Sequence, residues 1–241
     1  MADYWNDRVE TWCSTAAGQY LRLAGDPDRR PTEGAVAPEF LELVRYGLRR
    51  PKDDRILKSL ESVDARLKKT LPGGPSWRRY VGDRYGEHDD GSPWDGDGTG
   101  RLWPVLTAER VRHFFSMGLP AAELVRTMES FAGPGLMLSE QIWDGPDLPA
   151  RGLYTGRANG SAAPLGWAHA EYLQLLAMVA LAGFPDIVLP ARRRYTEVPP
   201  QEPASWVADV PTHRLAPGAT FAWTAHYGTG WEGINYSVTI V

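Results

Sequence analysis

Asp53-Asp54-Arg55-Ile56-Leu57-Lys58-Ser59-Leu60-Glu61-Ser62-Val63-Asp64-Ala65-Arg66-Leu67-Lys68-Lys69 sets the fold class of this chain. Ile56, Leu57, Leu60, Val63 and Leu67 recur at the spacing of one helix face. Asp53 stands where a side chain caps free N–H groups, so the spacing predicts a helix from Asp53 to about Lys69. Upstream, residues 38–50 predict another helix. Pro38 suits its first turn, Phe40, Leu41, Leu43, Val44 and Leu48 share a face, and Pro51 stops it. Residues 2–12 read as the end of a helix with Tyr4, Trp5, Val9 and Trp12 near one face, and 13–37 as a Gly-, Pro- and Asp-rich loop.

Downstream, residues 70–106 read as one long loop. A connection of that length in a compact domain is usually functional or disordered, and its Trp and Tyr residues argue against disorder. Thr107 is placed to cap a helix to about Ser116, and residues 120–132 predict another. After a loop at 133–160, Ser161 is placed to cap the last long helix, with Pro164 in its first turn and an apolar run through Ala182. About six helices and two long loops make the chain mostly α. Residues 185–204, rich in Pro and Arg, read as a linker. From Ser205 the pattern turns to alternation, with strands expected at Phe221-Ala222-Trp223-Thr224-Ala225 and Tyr236-Ser237-Val238-Thr239-Ile240-Val241.

The chain has 241 residues, 43% of them hydrophobic and 23% charged, as in soluble globular proteins. A net charge of -4 argues against a nucleic-acid partner. The single cysteine, Cys13, excludes an intrachain disulfide and reads as a packed thiol. The N-terminus lacks the regions of a signal peptide, and the apolar stretch from Leu173 to Phe184 is too short to span a bilayer. The expectation is a cytoplasmic chain without a membrane partner.

Chemistry concentrates around Glu140 in Leu138-Ser139-Glu140-Gln141-Ile142-Trp143-Asp144. This carboxylate follows a stretch holding Trp94, Asp95, Asp97, Arg101 and Trp103 among glycines. Flat apolar rings beside directional Arg and Asp groups suit a sugar, with its apolar faces and hydroxyl rim. Asp89, Asp90, Asp95 and Asp97 raise calcium as a cofactor, but their spacing does not match a calcium-binding loop. Ordinary Asp-Gly turns are the reading there, and no other cofactor is expected. His88 and His169 have no second ligand at metal spacing, and His169 reads as a hydrogen-bonded packing residue.

Four segments carry a resemblance: Tyr85-Gly86-Glu87-His88-Asp89-Asp90-Gly91-Ser92-Pro93-Trp94, Gly98-Thr99-Gly100-Arg101-Leu102-Trp103-Pro104-Val105-Leu106-Thr107, Ser139-Glu140-Gln141-Ile142-Trp143-Asp144 and Trp167-Ala168-His169-Ala170-Glu171-Tyr172. In this order they resemble glycoside hydrolase family 15, the bacterial glucoamylases and glucodextranases. The likeness starts at Ala2-Asp3-Tyr4-Trp5-Asn6 and covers the second half of such an enzyme. It implies a partial (α/α)6 barrel with about half of the helices, followed by a short β appendage. Residues 1–184 would be the barrel half, 185–204 a linker and 205–241 a remnant of a C-terminal β domain.

The resemblance assigns roles residue by residue. Glu140 matches the general base of an inverting reaction, which deprotonates the attacking water. The two carboxyls then stand about 6.5–9.5 Å apart. Arg79 matches an arginine that holds sugar hydroxyls in the first subsite, with Arg78 the alternative one register step away. Trp103 matches an aromatic wall of that subsite, and Arg101 is placed to reach sugar hydroxyls. Tyr85, Glu87 and Trp94 fit the family's loop without individual roles. The family's general acid lies upstream of the segment matching Ala2, and neither Glu10 nor Glu33 resembles it.

The function implied is exo-acting release of glucose from non-reducing ends of α-glucans, with this chain inactive alone. Its implied partners are an α-glucan oligosaccharide and a separate N-terminal half bearing the acid. Members of the family are often exported. The alternative is a catalytically dead remnant or weak carbohydrate-binding module. A terpene-cyclase-like helical fold is a third reading, but Asp89-Asp90-Gly91-Ser92-Pro93 fails its metal motif.

Overall fold

The computed structural model describes residues 1–22, 36–119, 121–181 and 183–197, and the backbone at 220–225 and 234–239. The first stretches contain α1 (Ala2–Cys13), α2 (Leu41–Arg45), α3 (Asp54–Leu67), β1 (Lys68–Leu71), β2 (Gly74–Arg78), β3 (Leu102–Trp103), α4 (Pro104–Ser116), α5 (Ala122–Ser130), α6 (Gly166–Leu181) and α7 (Leu189–Arg192). Helix predominates, as expected.

Helix α3 forms as its pattern dictates. The Asp53 carboxylate accepts from Arg55 N at 2.9 Å, and Ile56, Leu60, Val63 and Leu67 are buried, whereas Leu57, expected on the same face, is 37% exposed. It stops at Leu67 and not at Lys69, because Lys68 is already extended. Lys68–Leu71 turns back through Pro72-Gly73 and pairs antiparallel with Gly74–Arg78, in a register from Lys68↔Trp77 to Leu71↔Gly74. Trp77 in turn faces Trp103 across β2 and β3. The long loop expected at 70–106 is thus a three-stranded antiparallel sheet, order β1-β2-β3, with only its middle irregular. Both ends of the irregular stretch are clamped at one place.

Helix α4 begins at Pro104, in the first turn, where its missing N–H costs nothing. Thr107 is therefore not a cap: it is fully buried, and its hydroxyl donates to Ser76 Oγ at 3.1 Å. The helix is buried along most of its length. Val105, Ala108 and Val111 pack in one core with Leu60 and Val63 of α3, Met128 of α5, and Leu175 and Met178 of α6. Burying each of these Val, Leu and Met side chains contributes about 1.5–3 kcal/mol.

Two other expectations are corrected. The helix predicted over 38–50 shrinks to Leu41–Arg45, because Gly47 takes φ +76 and Leu48 N and Arg49 N turn back to Leu43 O. Ser161 does not cap the last helix; its Oγ accepts from Gln141 N at 2.9 Å, and α6 starts at Gly166 beyond Pro164. The helix expected over 2–12 forms as α1, which buries no residue and leaves Tyr4, Trp5 and Trp12 exposed. It is tied down by polar contacts instead: Arg49 bonds Glu10 Oε1 at 2.6 Å and Asn6 Oδ1 at 2.7 Å.

Four buried or half-buried charges form a closed ring among α2, α4, α6 and the following segment. Arg45 bonds Glu171 at 2.9 Å and Asp186 at 2.7 Å, and Arg112 bonds the same pair at 2.8 Å and 2.7 Å. Residues 185–197, read from sequence as linker, belong to this first unit, which spans Met1–Glu197. In the second unit, Val198–Val241, β4 (Thr220–Ala225) and β5 (Ile234–Thr239) pair antiparallel from Thr220↔Thr239 to Ala225↔Ile234. The strand expected to end at Val241 has its last two residues outside the described ones, as have residues 198–219.

Candidate active site

Glu140 is held by what flanks it. Ser139 and Gln141 are both buried, while Glu140 between them is half-buried. Ser139 Oγ donates to Gln141 O at 2.6 Å, and Glu140 N donates to Ala162 O at 2.8 Å. The Gln141 side chain donates to Tyr85 O at 3.1 Å and accepts from Asn159 Nδ2 at 3.2 Å. Ile142 bridges Leu102 on one side and Ala158 on the other. The segment is an extra edge of the small sheet, which fixes where the Glu140 carboxylate stands.

Above that edge sits an aromatic and cationic cluster. Tyr85 Oη donates to Glu140 Oε2 at 3.2 Å. Burial and the negative Glu140 both push the Tyr85 phenol up, so it stays protonated and able to donate. The Tyr85 ring meets Trp94 edge-on at 5.2 Å and Trp103 tilted at 6.3 Å. The Arg79 guanidinium lies 4.7 Å from the Trp103 centroid and 5.0 Å from that of Tyr85. Arg79 also holds Asp83 with two bonds, of 2.9 and 2.8 Å. Burial works against the Arg79 charge, and the Asp83 pair outweighs it, with Glu140 adding to the same effect.

Arg78 and Arg79 part ways in the structure. Arg78 ends β2 and bonds Asp144 at 2.6 Å, whereas Arg79, the next residue, joins the Glu140 cluster. Adjacent residues of an extended chain face opposite ways. Trp103 is 4% exposed, so its ring is a floor beneath Arg79 and Tyr85, and the open ring is Trp94, at 47%.

Arg101 departs from expectation. It is 2% exposed, and each guanidinium nitrogen already has a protein partner. Nε and Nη2 donate to Glu87 O at 3.1 and 2.5 Å, Nη2 also to Asp89 at 3.1 Å, and Nη1 to Asp144 at 2.8 Å, with the Trp143 ring 4.2 Å away. Sugar hydroxyls have no access to such a group; Arg101 braces the loop instead. Glu87 is equally committed, accepting from Asn159 Nδ2 at 2.5 Å and Gly160 N at 2.6 Å. His169 accepts from Leu138 N at 3.0 Å, the packing role expected of it. Asp90 and Asp95 make turn contacts with Ser92 and with Asp97 N, and Asp97 forms an ion pair with Arg84.

Sequence reasoning left Tyr85 and Trp94 without roles. Gly86, between Tyr85 and Glu87, was the available signal. It takes φ +148, and a Cβ there would stand 2.5 Å from Thr99 O and 2.7 Å from Gln141 Oε1. Gly86→Ala is therefore expected to destabilise by about 1–3 kcal/mol and to loosen Tyr85 from Glu140. Urea unfolding checks it, and a loss near zero would contradict the close approach.

Comparison with known proteins places this geometry. The model of glycosyl hydrolases family 15 matches residues 2–177. A glucoamylase of Clostridium sp. (strain G0005) is 38% identical over 194 residues, covering 72% of this chain and 26% of the relative. A solved bacterial glucoamylase, complexed with acarbose, superposes with a TM-score of 0.73 at 36% identity, covering 81% of this chain and 31% of that one. A solved glycosidase at 22% identity and TM-score 0.52, covering 76% of this chain and 44% of that one, shares the fold. The chain spans 26% and 31% of the length of the two glucoamylases. On this family match, and on its kinship with two glucoamylases, the chain belongs to glycosyl hydrolase family 15 and is glucoamylase-like.

Proposed function

We propose that this chain supplies the base-bearing part of an inverting exo-α-glucosidase, whose barrel is completed by helices outside the matched length. The fold contributed is about half of an (α/α)6 barrel, and the substrate is the non-reducing end of an α-1,4- or α-1,6-linked glucan. Glu140 takes the proton of the attacking water. Tyr85 Oη, donating to Glu140, orients the carboxylate so that its other oxygen addresses that water. Arg79 offers its remaining N–H groups to sugar hydroxyls, and Trp94, over the Trp103 floor, offers an apolar face to the ring.

The observation that carries this reading is the joining of Glu140, Tyr85, Arg79 and Trp103 in one cluster from two loops and strand β3. Among the described residues, the other carboxylates near it are paired, Asp83 with Arg79, Glu87 with Asn159 and Gly160, and Glu39 with Arg22. On this reading the proton donor for the leaving oxygen comes from elsewhere in the enzyme, and the chain alone is inactive. Protonating that oxygen is worth about 10²–10⁴ in rate.

The test is glucose release from maltotriose and isomaltotriose by the chain alone and mixed with an N-terminal half of a family 15 enzyme. Release only in the mixture is expected. Release by the chain alone contradicts the inactivity. No release in either, with both parts folded and bound to each other, favours a remnant that at most binds sugar.

A further inference from the structure

Helix α6 has two opposite faces, and the described residues cover only one of them. Ala168, Glu171, Leu175 and Met178 recur at three- and four-residue steps and are buried toward α4 and α5. Gly166, Ala170, Leu173, Leu176 and Ala180 recur at the same steps on the other side and are exposed. Leu173, in the middle of that outer face, is 63% exposed.

The outer face carries no charge. The polar side chains of α6 are engaged within this chain. His169 accepts from Leu138 N, Glu171 pairs with Arg45 and Arg112, Tyr172 Oη donates to Glu129, and Gln174 accepts from Arg112. A helix at a protein surface ordinarily turns charged residues outward, and one that is apolar all round belongs in an interior. A lipid interior does not suit it. No helix among the described residues is long and apolar enough to cross a membrane, and α6 has no Lys or Arg to hold it on a membrane surface. Steps of three and four residues are those at which one helix packs along another. Gly166, Ala170 and Ala180 leave room for a close approach.

What the shared fold leaves out says which helices these are. The chain covers 31% of the solved glucoamylase, so more than two thirds of that structure lies beyond the common part. The geometry points to the outer face of α6 as the docking surface for the remaining helices of the barrel, the half that carries the acid. The partner's identity rests on the proposed function; the surface is what the structure adds. The helix seated there is apolar, because α6 offers nothing to pair with a charge.

The placement also serves the reaction. The start of α6 is tied to the Glu140 segment, since Leu165 N donates to Leu138 O at 2.8 Å and His169 holds Leu138 N. A half seated on α6 therefore stands next to the segment that bears the base, where its acid is needed.

Sedimentation velocity measures binding of the whole chain to the N-terminal half used in the glucose-release test, without reference to catalysis. Leu173→Glu puts a charge at the centre of the face and should weaken binding about thirtyfold or more. Ala180→Trp stays apolar but holds the helices apart, and should weaken binding too, whereas mere hydrophobic adhesion would grow stronger. Leu57→Glu, at an exposed position of α3, should bind like the parent. Because Leu173 and Ala180 are exposed, both variants should melt with the parent chain, which shows them folded.

No binding by the parent, full affinity in both α6 variants, or equal weakening by Leu57→Glu overturns the surface. So does an effect of the α6 variants on self-association alone, which would make the occupant a second copy of this chain. Glucose release with binding insensitive to α6 sinks the surface and keeps the proposed function. Binding through α6 without glucose release does the reverse.

Discussion

Glu140→Gln, in the assembly that releases glucose, is expected to lower kcat by about 10²–10⁴-fold with little change in KM. Gln keeps the size of Glu and one oxygen to accept from Tyr85 Oη, now at 3.2 Å from the carboxylate. It cannot take a proton from water. The partial burial of this side chain and its backbone bond to Ala162 O hold the replacement in place, so substrate contacts through Arg79 persist. Steady-state kinetics on maltotriose measure the effect. If kcat stays within a few-fold of the parent's, Glu140 is not the base. If KM alone rises, its role is in binding.

Asp144→Ala is expected to cost about 3–5 kcal/mol of stability, the largest loss foreseen for one substitution here. The Asp144 side chain is fully buried between Arg78 at 2.6 Å and Arg101 at 2.8 Å, with Lys69 Nζ at 3.7 Å. Removing the carboxylate leaves Arg101 charged, 2% exposed and with only the exposed Asp89 as counter-ion. Arg101 braces Glu87 O, and Asp144 lies four residues from Glu140, so the site loosens with the fold. Urea unfolding gives the free-energy loss; a value under about 1 kcal/mol would show that the pair is no better than a surface salt bridge.

The same carboxylate makes the protein acid-sensitive. Burial acts to raise its pKa, and the bonds from Arg101 and Arg78 outweigh burial and hold it below the ordinary 3.8. A depressed folded pKa contributes stability that is present above the unfolded value and is lost as pH falls through the folded one. Asp144→Asn should therefore flatten the acid limb of the stability profile while costing less than Asp144→Ala at neutral pH.

Periodicity and motif order alone determined that this chain is mostly helical, that Asp53 caps α3, that Ile56, Leu60, Val63 and Leu67 point inward, and that the residues around Glu140 are those of family 15. Those are local properties: the helix repeat, a cap two residues from its donor, and residue order along a chain. Helix ends were less legible, because Gly47 and the Pro72-Gly73 turn act through backbone dihedrals that a hydrophobic pattern does not register. Tertiary structure alone decided which arginine faces Glu140, that Arg101 is a brace with all three nitrogens engaged, that Trp103 is a floor, and that Tyr85 reaches the carboxylate. Each depends on partners 12 or more residues away in sequence. A side chain's free valences are set by what packing brings to it, which no local pattern encodes.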